Sequence, residues 1–102
     1  MSALHIEWIG GNCPVQAEGA IGDEAFYFRA RGENWSIGVG GDPVGSPRWY
    51  LERHYGDWPS AGWMSEDEAR AFIQAAAGLL GSGDPGDAIG PPPGQDTKLP
   101  NL

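Results

Sequence analysis

A period of two that recurs five times along this chain, then gives way to a helical period, constrains its fold more than any other feature. Leu4, Ile6 and Trp8 alternate with His5 and Glu7, which places the three apolar side chains on one face of a strand. Val15, Ala17 and Ile21 stand against outward Gln16 and Glu18. Phe26, Phe28 and Ala30 alternate with Tyr27, Arg29 and Arg31, and Trp35, Ile37 and Val39 with Ser36, Gly38 and Gly40. In the last run, Arg48 to Tyr55, Trp49 and Leu51 point inward, while Tyr50, Glu52 and His54 point outward. Turn-forming residues separate the runs: Gly10-Gly11-Asn12, Gly22-Asp23, Gly32-Glu33-Asn34 and the loop from Gly41 to Pro47. Gly22-Asp23 is short enough to close a tight hairpin.

After the loop Gly56–Met64 the period changes. Ser65-Glu66-Asp67-Glu68 reads as a capping box, with Ser65 as N-cap and Glu68 at the third helical position. The three carboxylates also suit the positive end of a helix dipole. Ala69, Phe72, Ile73, Ala76 and Leu80 then fall on one stripe, predicting a helix over about 66–80 that Gly81 ends. Strands first and helix last give an α+β fold class. An antiparallel meander of about five strands carries one C-terminal helix on its apolar face, and the other face stays wet. The domain spans residues 1–80. Residues 81–102 hold five Gly and five Pro and read as a flexible Pro/Gly-rich tail.

At 102 residues the chain has room for one domain. Its aromatic residues, five Trp, three Tyr and three Phe, each bury roughly 150–250 Å² and make a compact core feasible. Against 14 Asp+Glu stand only 6 Lys+Arg, a net charge of -8. That balance disfavours nucleic acid held by phosphate neutralisation and disfavours anionic membranes. One cysteine excludes an intrachain disulfide. The start of the sequence shows no signal-peptide pattern. The longest apolar patch, Ala75–Leu80, falls far short of the roughly 20 residues that span a bilayer. The expectation is a soluble, cytoplasmic protein.

Catalytic constellations are weak. His5, His54 and Cys13 lack metal-site spacing, and the two histidines become neighbours only if the first and last strands pair. Cys13, at a turn between Asn12 and Pro14, has no local cation to make it a thiolate, and reads as a small buried thiol. Glu66-Asp67-Glu68 point in different directions around a helix, and the capping box accounts for them. Gly38-Val39-Gly40-Gly41-Asp42 does not open a helix, as a phosphate loop must. No enzyme activity and no cofactor are expected.

What remains is a surface. Tyr27, Arg29, Tyr50 and Glu52 share the outward face, and Trp58 sits with Trp63 in the loop before the helix. Tyr, Arg and Trp are the residues enriched at interaction hot spots. Carboxylates such as Glu7 and Glu18 steer the chain toward a basic partner. Arg29 and Arg31 have a plainer alternative, cross-strand pairing with Glu7, Glu18 or Glu52. The candidate partner-binding residues are therefore Glu7, Glu18, Tyr27, Arg29, Tyr50, Glu52 and Trp58.

Three stretches carry a resemblance. His5 to Gly19 with Phe26 to Gly32, and Ala61 to Ile73, resemble small acidic proteins of phages and prophages in high-GC proteobacteria. The similarity covers about residues 4–76 and leaves out the tail. Anti-CRISPR inhibitors are the best-known functional class among such proteins. The resemblance therefore implies a non-enzymatic inhibitor acting in the host cytoplasm. Its partner would be a basic, DNA-facing surface of a type I CRISPR-Cas effector subunit, with no direct contact to nucleic acid. A structural or adaptor domain of a phage particle or host complex is the alternative. A small hydrolase or metal enzyme built on His5, His54 and Cys13 is a third reading.

Overall fold

The computed structural model describes residues 3–87; the expected tail beyond that point lies outside the described residues. Five strands, β1 (Leu4–Gly10), β2 (Val15–Ile21), β3 (Glu24–Arg31), β4 (Asn34–Asp42) and β5 (Ser46–His54), pair in sequence order. Every pairing is antiparallel, so the sheet is a simple meander. A short 3-10 turn (Ser60–Trp63) leads into the helix α1 (Glu66–Gly81). The gap between β4 and β5 is shorter than the sequence suggests: the strands run on to Asp42 and resume at Ser46.

The core follows the alternation. Val15, Ala17, Ile21, Phe26, Phe28, Ala30, Trp35, Ile37, Val39, Trp49 and Leu51 are buried on one sheet face, and Ala69, Ile73 and Ala76 bring α1 against it. The two alanines in that contact let the helix backbone lie close. Trp35 stacks on both Phe28 and Phe72, with centroids 5.7 and 4.9 Å apart, an offset geometry that adds to area burial. The capping box forms as expected: Glu68 N–H donates to Ser65 Oγ at 3.0 Å, and Ser65 N–H to Glu68 Oε1 at 3.2 Å. The helix ends at Gly81, its last helical residue, and the left-handed position beyond it is Gly83, φ 87°.

One side chain expected in the core is outside it. The β1–β2 register shifts between Ile6 and Trp8, leaving Glu7 as the extra residue of a bulge. Leu4 and Ile6 keep their inward places, and Ile9 takes the next one opposite Ala17. Trp8 is thereby turned to the opposite face beside Glu18, 51% exposed. Gly19 makes room for the swelling, since a Cβ there would meet the His5 carbonyl oxygen and stand 3.0 Å from Glu7 N.

The outer sheet face is not uniformly wet either. Gly38 and Gly40 on β4 are buried. The β4–β5 turn folds back over Gly38, so that a Cβ there would run into the Pro43 carbonyl and stand 3.0 Å from Pro47 Cβ. The Glu24–Arg48 ion pair covers Gly40. Residues 84–87, read from sequence as tail, lie along the outer edge of β5. Trp49 Nε1–H donates to the Asp84 carbonyl at 2.9 Å, Asp87 N–H to the Tyr50 carbonyl at 2.8 Å, and Glu52 N–H to Asp87 Oδ2 at 2.7 Å. These bonds occupy edge groups that otherwise invite another strand.

Candidate functional site

The strand registers arrange the outer face in rows. Glu18, Tyr27, Gly38 and Tyr50 are successive cross-strand partners, and so are Gln16, Arg29, Ser36 and Glu52. A third row holds Arg31, Asn34 and His54. Because Gly38 and Ser36 are small, the side chains of β3 and β5 face each other across a depression. The result is an open groove of about 430 Å³ whose lining includes Arg29, Arg31, Asn34, Ser36, Tyr50, Glu52 and Trp58.

Trp58 forms one wall, and the turn between β3 and β4 fixes it. Gly32 takes φ +68°, and a Cβ at that position would stand 2.7 Å from Trp58 Cζ3 and 2.9 Å from Cε3. The loop that carries the indole is stitched to the same turn. Tyr55 N–H donates to the Glu33 carbonyl at 2.7 Å, and Ala61 N–H to the Gly32 carbonyl at 3.0 Å. The indole nevertheless remains 68% exposed. Among the described residues Trp8 and Trp63, the latter 62% exposed, are also largely open to solvent.

Glu52 organises the β5 side. Its Oε1 accepts from the Tyr50 hydroxyl at 3.1 Å and its Oε2 from Asn34 Nδ2 at 3.2 Å. Burial is the main cause that pushes the Tyr50 phenol above its ordinary pKa. A hydrogen bond with Ser36 opposes the shift, and the carboxylates of Glu52 and Asp87 reinforce it. Tyr50 therefore stays a donor at neutral pH. Among the described residues the ion pairs are Glu24–Arg48 and Arg53–Asp87. Arg29 and Arg31, both exposed, take part in neither, so the expected cross-strand compensation does not form.

Of the seven residues singled out by sequence, Arg29, Tyr50, Glu52 and Trp58 meet in this groove. Tyr27 stands next to it in the neighbouring row, its hydroxyl donating to Gln16 Oε1 at 3.1 Å. Glu18 lies one strand further away, and Glu7 sits in the bulge of the β1 edge. Arg31, Asn34, Trp35 and Ser36 complete the lining. Arg31 shares its parity with Arg29, a signal present in the sequence, whereas Asn34 reads from sequence as part of a turn.

Other candidates are dispersed. His5 and His54 lie on β1 and β5, the two opposite edges of the sheet, so they are not neighbours. Cys13 is exposed rather than buried. Its backbone N–H is tied to the Gly62 carbonyl at 2.7 Å with φ 45°, which holds the residue at the surface of the turn. Among the described residues no group of three or more His, Cys, Asp and Glu is placed to hold a metal ion. None of the described helices is long and apolar enough to cross a membrane. No family model, curated protein or solved structure matches the chain.

Proposed function

We propose that this chain is a non-catalytic protein-binding domain that docks through the outer face of its sheet, with the Trp58 groove at the centre. The observation that carries the reading is Trp58 itself, a large indole braced on Gly32 yet 68% exposed. Beside it stand two guanidiniums that have no ion-pair partner among the described residues. Ordering such a side chain in the free protein lowers the entropy lost on binding, and Trp, Tyr and Arg are the side chains that anchor interfaces.

The particular version proposed is a phage-encoded anti-CRISPR inhibitor that blocks target DNA binding by a type I effector complex. Its support is the net charge of -8 together with the phage-protein resemblance. Glu7, Glu18, Glu33 and Asp57 are exposed and would steer the domain to a basic, DNA-facing surface. The test is a pull-down of the tagged protein from lysate of a CRISPR-bearing host, read by mass spectrometry. Effector subunits are expected at low salt and should be lost on Trp58→Ala. Recovery of virion proteins, or of the protein alone, overturns the inhibitor version.

A further inference from the structure

We propose that the groove between Trp58 and Tyr50 is a carboxylate-recognition site for an acidic residue of a partner peptide. An aromatic neighbour of that residue would lie against the Trp58 indole. The inference rests on the protein-binding reading and gives the partner a chemistry which the overall charge of the chain conceals.

Arg29 and Arg31 are two positions apart on β3, so their side chains rise from the same face roughly 7 Å apart at their base. Both line the groove, both are exposed, and neither is in an ion pair among the described residues. The carboxylate in the lining, Glu52, is already engaged by Tyr50 and Asn34. The groove therefore presents two guanidiniums against one occupied carboxylate, in a chain whose net charge is -8. Guanidinium forks match carboxylates in a bidentate geometry.

The sign of the whole chain then selects among anions. A polyanion such as single-stranded DNA lies along the acidic surroundings as well as the groove, and the field of the protein repels it. A peptide carboxylate brings one charge to the arginines, within the screening length of about 8 Å. Trp58 and Tyr50 supply flat surface for the residue beside it.

The test uses the full chain labelled with ¹⁵N and the probe peptide acetyl-Gly-Glu-Trp-Gly-Gly-amide, beside its counterpart with Gln for Glu and an oligothymidylate. The glutamate peptide is expected to shift the Trp58 indole and the Arg29 and Arg31 Nε signals, and to bind at least about tenfold more tightly than the glutamine peptide. Arg29→Gln combined with Arg31→Gln should abolish those shifts while the remaining amide spectrum keeps its folded pattern. Equal binding of the two peptides, shifts away from the groove, or tighter binding of the oligothymidylate overturns the proposal. The pull-down separates the two readings. If Trp58→Ala abolishes effector capture but the glutamate peptide leaves the groove unshifted, carboxylate recognition fails while the protein-binding reading stands.

Discussion

The Trp58 indole rests on the backbone of Gly32, so closely that a Cβ there would stand 2.7 Å from Cζ3. The contact joins the β3–β4 turn to the loop before the helix and sets one wall of the groove. Gly32→Ala places a side chain both against the indole and at φ +68°, a backbone region costing non-glycine residues about 1–2 kcal/mol. The expected outcome is a folded protein with a lower thermal midpoint, altered Trp fluorescence and weakened partner capture. Thermal denaturation with a fluorescence readout measures the first two directly.

Gly78 provides the opposite case. It lies inside α1, exposed, and a Cβ added there would meet nothing within 4 Å. Gly78→Ala should stabilise the domain by about 0.5–1 kcal/mol through helix propensity. Urea denaturation midpoints should move in opposite directions for the Gly32 and Gly78 variants.

The strands and helix are legible in the sequence because two independent signals agree on each, alternation with turn residues for the sheet and periodicity with a capping box for α1. Alternation misplaces Trp8 because Trp8 and Ile9 are both apolar, so the pattern alone does not say which one faces inward. The bulge at Glu7 decides it, and only the approach of β1 to Gly19 makes the bulge visible. In the site, parity finds Arg29, Tyr50 and Glu52, because it survives wherever the register is regular. Asn34 joins them through a long-range hydrogen bond to Glu52, and the turn over Gly38 through tertiary folding. Neither leaves a local pattern.

The helix start is tied to the end of β5 by a single oxygen. Glu68 Oε1 accepts from the Tyr55 hydroxyl at 2.8 Å as well as from Ser65 N–H. That hydrogen bond is the leading cause that raises the Tyr55 phenol, with desolvation and the Glu68 charge adding to it. A raised phenol favours the folded state below the ordinary Tyr value, and the contribution disappears as pH rises through the folded value. Tyr55→Phe should therefore lose less stability than the parent between neutral and strongly alkaline pH. Urea midpoints across that range report the difference.

Cys13 is the free cysteine of the chain and is exposed. It should react with a disulfide reagent in the native protein at a rate that denaturant does not greatly raise. A thiol that reacts only after unfolding would contradict its placement at the surface.

If the Trp58 groove is the surface through which this domain binds a protein, removing the indole should cost it its partner. The most direct measurement titrates the purified protein into a type I effector complex bound to labelled target DNA, comparing the parent with Trp58→Ala. The expected result is displacement of DNA by the parent, weaker at raised salt, and at least about a tenfold loss of potency on Trp58→Ala. Undisturbed DNA binding would contradict the inhibitor version, and equal potency of the two proteins would contradict the Trp58 groove as the binding surface.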